Sequence, residues 1–381
     1  MLSSQATGIK LISLAKIQGL TSEDLIRIAD VERYQFSSLR KFQNLMLYVL
    51  VGRDGTPIWT ATRFLIYVAI VNKGYTADTQ RTYGESLVSW FRFLADSSVD
   101  ADRADEEILQ LYRSSQNHGL TESGEPISSA TVNLRVTVVK QFYNWCQRHG
   151  EVSSLGRFLT ERKCPRVFSV RVVKRHPKVL SGEEISCLFK YVKDPYRLAF
   201  RWAIATGMRR MEVASLRRTD LPSPETVAFN ESGLIDMVIR RKGGKEVSVY
   251  VPVPLIEETQ WYLFSIRPKP AEEKFSDFIF LNRDGRPISK WSMSNKFRKA
   301  ADSIGSKATL HHLRHTYATN VLRFLENESA DSSEEKINSL KTLQMLLGHS
   351  NSATTEIYLS SMKITSPTVV AALDYLYGAS L

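Results

Sequence analysis

Residues 310–316 read Leu-His-His-Leu-Arg-His-Thr, and together with Leu346-Leu347-Gly348-His349-Ser350 they hold four of the chain's seven histidines. His311 and His315 are one helical turn apart, but no Glu separates them as in a His-Glu-x-x-His zinc helix, and no third ligand is evident. Two earlier segments share this basic character: Ala205-Thr-Gly-Met-Arg209-Arg-Met-Glu212 and Arg241-Lys242-Gly-Gly-Lys245. The first sits where a helix pair over 194–216 should break, near Thr206-Gly207. The second is the glycine turn of a β-hairpin, since Met237-Val-Ile-Arg-Arg and Glu246-Val-Ser-Val-Tyr-Val alternate with a period of two. A helix start at Ser181-Gly-Glu-Glu precedes them, and helices resume to the end. Residues 179–381 therefore read as one mostly α domain with a small antiparallel sheet.

Moving towards the N-terminus, residues 155–178 carry eight Lys or Arg against the single acid Glu161. With Pro165 and Pro177 and no clear helical period, this stretch reads as an extended, basic connector. Such a connector suits a phosphate backbone, because each bound cation releases condensed counterion. Arg162, Lys163, Arg166, Arg171, Lys174, Arg175 and Lys178 are its candidate backbone contacts. Upstream, 79–95 and 129–149 repeat apolar residues at helical spacing, with shorter helices expected at 106–112 and 58–71. Trp90, Phe91, Phe142 and Trp145 fall on the apolar faces and are expected in the core. Residues 56–154 thus form a helical domain. Residues 1–55 read as a small helical appendage of unassigned role, with a helix start near Thr21-Ser-Glu-Asp24.

Composition limits the function. The chain has 381 residues, 51 Lys+Arg against 40 Asp+Glu, and a net charge of +11. Its longest apolar run, residues 64–71, is far short of a bilayer span, and the N-terminus lacks signal-peptide features, so a cytoplasmic, non-membrane protein is expected. Cys146, Cys164 and Cys187 show no pairing pattern and are expected as small buried hydrophobes. The absence of Gly-x-x-x-x-Gly-Lys-Ser/Thr disfavours an ATP-driven motor.

The basic segments of residues 179–381, the last running on to Thr354-Thr355-Glu356-Ile357-Tyr358, together offer Arg, Lys, His and one Tyr without carboxylate pairs or a metal cage. Two guanidiniums grip a phosphodiester's oxygens and stabilise a pentacoordinate transition state. Imidazoles add hydrogen bonds and take a proton. Lysine protonates a leaving oxygen. Tyrosine is only about 0.1% ionised at pH 7, and clustered cations favour its phenolate. This describes metal-free attack of tyrosine on DNA, giving a covalent phosphotyrosyl intermediate.

Over residues 57–360 the sequence closely resembles the tyrosine recombinase (phage integrase) family. The matching motifs are Thr-Gly-x-Arg209-x-x-Glu212, His311-x-x-Arg314 and Leu-Gly-His349, followed by Tyr358. The resemblance implies that Arg209, Lys242, His311, Arg314, His349 and the nucleophile Tyr358 are catalytic. Lys245 competes with Lys242 for the hairpin role, and Glu212 buttresses Arg209. It implies the DNA breaking-rejoining fold: a helical core-binding domain and a mostly α catalytic domain forming a C-shaped clamp. The implied partners are double-stranded DNA recombination sites, bound by a homo-tetramer that is a monomer or weak oligomer when free, with an accessory DNA-bending protein as an option. No cofactor or metal is implied. The expected activity is site-specific recombination through a Holliday junction, serving a mobile element. Alternatives are relaxation of supercoils as by a type IB topoisomerase, resolution of DNA dimers, and a catalytically silent DNA-binding regulator. The interval from Arg314 to His349 is longer than usual in the family, and its acidic residues 326–335 read as an inserted surface loop. The apolar stretch at 369–377 suits docking on a neighbouring protomer.

Overall fold

The computed structural model describes residues 8–14, 21, 24, 47–71, 77–121, 124–150, 154–161, 169–172, 178–231, 233–240, 246–331 and 338–347. The chain divides into two units, Met1–Lys174 and Arg175–Leu381.

The first unit is built on helices α1 (Trp59–Val71), α2 (Ala77–Asp96), α3 (Glu106–Asn117) and α4 (Ser129–Arg148). Their apolar faces meet in an aromatic core in which Trp90 is fully buried and Phe91, Phe142 and Trp145 nearly so. The expected core assignment of these four residues holds. Tyr143 links the helices by accepting from Trp90 Nε1 at 3.2 Å and donating to the Ala101 carbonyl at 2.7 Å. Helix α4 is capped by Ser128, whose hydroxyl accepts from the Thr131 N–H.

Two expectations for this unit are corrected. The appendage expected at residues 1–55 is neither wholly helical nor separate. Strands β1 (Lys10–Ser13) and β2 (Tyr48–Val51) pair antiparallel, with Lys10 opposite Val51, and Ile9 and Leu50 enter the helical core. Gly84 permits the close approach of β1 to α2, because a Cβ there would lie 2.6 Å from Leu11 Cδ2. Where a helix start was expected, the Thr21 N–H donates to Asp24 and the Asp24 N–H to the Thr21 hydroxyl, and residues 25–46 lie outside the described residues. Second, the basic connector is not extended from residue 155. Ser154–Glu161 is a helix, α5, which buries Leu155 and Leu159 one turn apart in the same core.

The second unit runs α6 (Gly182–Lys190), α7 (Tyr196–Thr206), α8 (Arg210–Ala214) and α9 (Pro224–Ala228), then strands β3 (Leu234–Arg240) and β4 (Glu246–Pro252). Helices α10 (Val253–Ser265), α11 (Lys290–Ser303), α12 (Leu310–Asp331) and α13 (Ser339–Leu347) follow. The strands pair antiparallel from Leu234–Pro252 to Arg240–Glu246, as the alternation predicts. Buried Leu198, Phe200 and Trp202 of α7 pack with Ile235, Met237, Val249, Phe280, Phe297 and Leu313 in a single core. Helix α12 continues to Asp331, so the first part of the acidic 326–335 segment is helix rather than loop. Cys146 is buried as expected, whereas Cys187 is exposed, and Cys164 lies outside the described residues.

Among the described residues one turn recurs three times. In each, an antiparallel bridge (Val51–Pro57, Leu120–Pro126, Leu281–Pro287) closes around a glycine of positive φ: Gly55, Gly124 or Gly285. An Ile follows each Pro, and its N–H returns to the incoming strand: Ile58 to Leu50, Ile127 to Gly119 and Ile288 to Phe280. Helices α1, α4 and α11 each begin one or two residues later. The fixed φ of Pro and the left-handed Gly thus aim the chain into a helix whose start is already set. The last copy delivers α11 to the site.

Candidate active site

Helix α7 ends at Gly207, whose φ of 65° is left-handed. This reversal buries Met208 and sets Arg209 as the first residue before α8, at the edge of a cavity of about 740 Å³. A Cβ on Gly207 would stand 2.7 Å from Tyr317 Cε1, so glycine is needed for space as well as conformation. One carboxylate then fixes Arg209 twice. Glu212 accepts the Arg209 backbone N–H at Oε2 (2.7 Å) and its Nη1 at Oε1 (3.1 Å), while itself only 9% exposed.

The opposite wall comes from the start of α12. His312 Nδ1 accepts the Thr309 N–H at 3.0 Å, satisfying a backbone donor that the helix leaves unpaired. His312 is therefore a hydrogen-bonding residue of the helix start. His311 and Arg314 lie three residues apart, so both face the cavity. Arg314 is 3% exposed and ties two motifs together: Nη1 donates to the Gly207 carbonyl, and Nη2 to the Leu347 carbonyl at 3.1 Å. Thr316 fastens the same helix to the start of the unit, its hydroxyl accepting the Leu180 N–H at 2.9 Å.

The electrostatics favour neutral imidazoles. Burial, and then the nearby charges of Arg314, His312, Arg209 and Arg210, hold His311 below the ordinary histidine range. His315 packs edge-on against it, ring centroids 4.4 Å apart, and burial pushes His315 down to about 4. A neutral imidazole beside guanidiniums is placed to accept a proton. Tyr317, a rival nucleophile, is half-buried against Gly207 with its hydroxyl pushed up by desolvation, which suits packing rather than attack. Among the described residues no group of three His, Cys, Asp or Glu gathers as a metal cage.

The structure therefore brings Arg209, Glu212, His311 and Arg314 into one cavity. Lys242, Lys245, His349, Tyr358 and the rivals Tyr375 and Tyr377 lie outside the described residues, as do Arg162, Lys163, Arg166, Lys174 and Arg175. Arg171 is exposed. Lys178 Nζ donates to Glu184 at 3.1 Å and to Ser306 at 3.2 Å, with its side chain 41% exposed. Sequence reasoning missed the third wall, made by Arg210 of α8 and by Trp291, Ser294, Asn295 and Arg298 of α11. The i, i+3, i+4, i+7 spacing of those four α11 residues was the available signal.

Residues 178–363 match the phage integrase family model. The chain is 27% identical over 303 residues to tyrosine recombinase XerD of Lacticaseibacillus casei, covering 77% of this chain and 91% of that protein. It is 28% identical over 312 residues to tyrosine recombinase XerC of Bacillus pumilus, covering 77% and 89%. Among solved structures, the XerH site-specific recombinase in a post-cleavage complex with palindromic difH superposes with a TM-score of 0.59 at 19% identity, over 89% of this chain and 92% of that one. A lambda integrase dimer on a COC′ core site gives 0.53 at 17% identity, over 78% and 75%. At these identities the superpositions speak to the fold alone, and they agree with a mainly helical chain carrying small antiparallel sheets.

Proposed function

We propose, from the premise that this chain belongs to the tyrosine recombinase (phage integrase) family, that Tyr358 is its nucleophile and that Arg209, Lys242, His311, Arg314 and His349 serve it. The chain is a DNA strand transferase that carries out site-specific recombination. The observation that carries the residue assignment is the convergence of Arg209 with His311 and Arg314, which lie more than a hundred positions further along the chain, on one cavity around a buried Glu212.

Each role follows from the local chemistry. The Arg209 and Arg314 guanidiniums bind the non-bridging oxygens of the scissile phosphate and gain strength as negative charge builds there. Support for pairing Arg314 with His349 is its hydrogen bond to the Leu347 carbonyl, two residues before His349 in sequence. Neutral His311 takes the Tyr358 proton as the phenolic oxygen bonds to phosphorus. The bond from phosphorus to the 5′ oxygen breaks, and Lys242 returns a proton to that oxygen. Support for the hairpin's part comes from its strands: Val238 and Glu246 line one cavity with Glu212. The released 5′-hydroxyl then attacks the phosphotyrosine of a partner duplex, conserving the bond without ATP.

The finer reading places this exchange in a homo-tetramer on two paired sites, through a Holliday junction, in a cytoplasmic setting and in the service of a mobile element, with an accessory DNA-bending protein as an option. A duplex pair carrying the sites distinguishes it from relaxation by a type IB topoisomerase. Four-way junctions accumulating on paired sites support recombination; supercoil relaxation on a single duplex without junctions contradicts it.

A further inference from the structure

Once Arg209, Glu212, His311 and Arg314 are assigned, one wall of the cavity has no role. It consists of Arg210, Trp291, Ser294, Asn295 and Arg298. We infer that Arg210 and Arg298 form a second phosphate subsite, which takes the DNA backbone phosphate next to the one attacked. This rests on the recombinase reading of the same cavity.

Arg209 and Arg210 are adjacent, yet they are held differently. Arg209 is paired with the carboxylate of Glu212, whereas Arg210 Nη1 donates at 2.8 Å to the neutral hydroxyl of Ser294. A carboxylate partner cancels a guanidinium's charge as it orients it. A hydroxyl orients the fork and leaves its charge for a ligand. Among the described residues neither Arg210 nor Arg298 has a carboxylate partner. Arg298 comes from the stripe of α11 that also presents Trp291, Ser294 and Asn295, so the positioning hydroxyl and the second cation share one helix face. The charge of Arg210 reaches the reaction centre, since it is among the causes holding His311 down. Gathering Arg209, Arg210, Arg298 and Arg314 around one cavity is costly without an anion, and a single phosphate meets only two forks well. At about 740 Å³ the cavity is of the size that takes a whole drug-sized ligand, which leaves room for the neighbouring phosphate of the strand.

The test is the salt dependence of duplex binding by the full chain. Anisotropy of a labelled duplex of about 30 base pairs of arbitrary sequence is followed from about 50 to about 300 mM sodium chloride. Arg210→Ala and Arg298→Ala should each make the slope of log affinity against log salt shallower by about 0.9, the loss of one phosphate contact. Arg210→Lys should keep the wild-type slope, because an ammonium still neutralises a phosphate. A wild-type slope in both alanine variants overturns the proposal. So does an Arg210→Lys slope as shallow as that of Arg210→Ala, which would make the effect structural. Tyr358→Phe separates this from the reading beneath it: it should bind with the wild-type slope and form no covalent adduct on a suicide duplex. An adduct persisting in Tyr358→Phe would remove the nucleophile assignment and leave the subsite standing.

Discussion

Gly207 does two jobs at one position. It reverses the chain at positive φ, and it admits the Tyr317 ring where any Cβ would intrude. Gly207→Ala should cost about 1–2 kcal/mol from the left-handed backbone alone, and more from the ring that must move. Since its carbonyl also anchors Arg314, the expected result is a thermal midpoint lowered by several degrees together with loss of cleavage, read by melting and by adduct formation. A separate expectation concerns pH. The folded-state value of His315, about 4, lies below its ordinary value of 6.5, so the unfolded chain takes up the proton first. Stability from this group is therefore complete above about pH 6.5 and is lost as pH falls towards about 4. His311 and His312 act in the same direction. Melts across that window should show a falling midpoint, and His315→Asn should make the decline shallower; an unchanged slope would contradict the assignment. At this scale the motif residues were legible through the family resemblance, which implies Arg and His in a fixed order along the chain. Arg210 and Arg298 were not, since an arginine next to a motif or on a helix face looks like any surface cation until the fold supplies its neighbours.

Among the elements, the three repeated turns give an internal comparison. Gly55 and Gly124 have open space where a Cβ would go, so Gly→Ala at either should cost only the left-handed backbone, about 1–2 kcal/mol. Gly285 has the same φ class, but a Cβ there would lie 2.6 Å from the Ala271 nitrogen and closer still to the Lys269 carbonyl. Backbone atoms cannot swing aside. Gly285→Ala should therefore destabilise well beyond the other two, and urea unfolding of the three variants measures the difference; equal losses would mean the turn's neighbours yield easily. Long amphipathic helices such as α2 and α4 were legible within a residue or two, because burial of one face imposes a 3.6-residue period. Strands β1 and β2 were not. Each is four residues long, and they are separated by more than thirty residues, so neither carries a local sign of its partner. Helix α5 was hidden by the charge of the segment it opens, although Leu155, Phe158 and Leu159 mark its buried face.

For the molecule as a whole, two units with separate cores carry an excess of eleven positive charges, and the residues proposed as catalytic are dispersed over the second. The order of those residues along the chain was legible. Their meeting place was not, because it depends on how α7, α8 and α12 pack, which no local pattern encodes. The account stands on Tyr358 attacking DNA without metal. The most direct measurement uses a suicide duplex, nicked so that the released fragment diffuses away, incubated in EDTA with wild type and with Tyr358→Phe and resolved on a denaturing gel. A covalent protein–DNA band with wild type and none with Tyr358→Phe is the predicted result; a band of equal strength in both would contradict it.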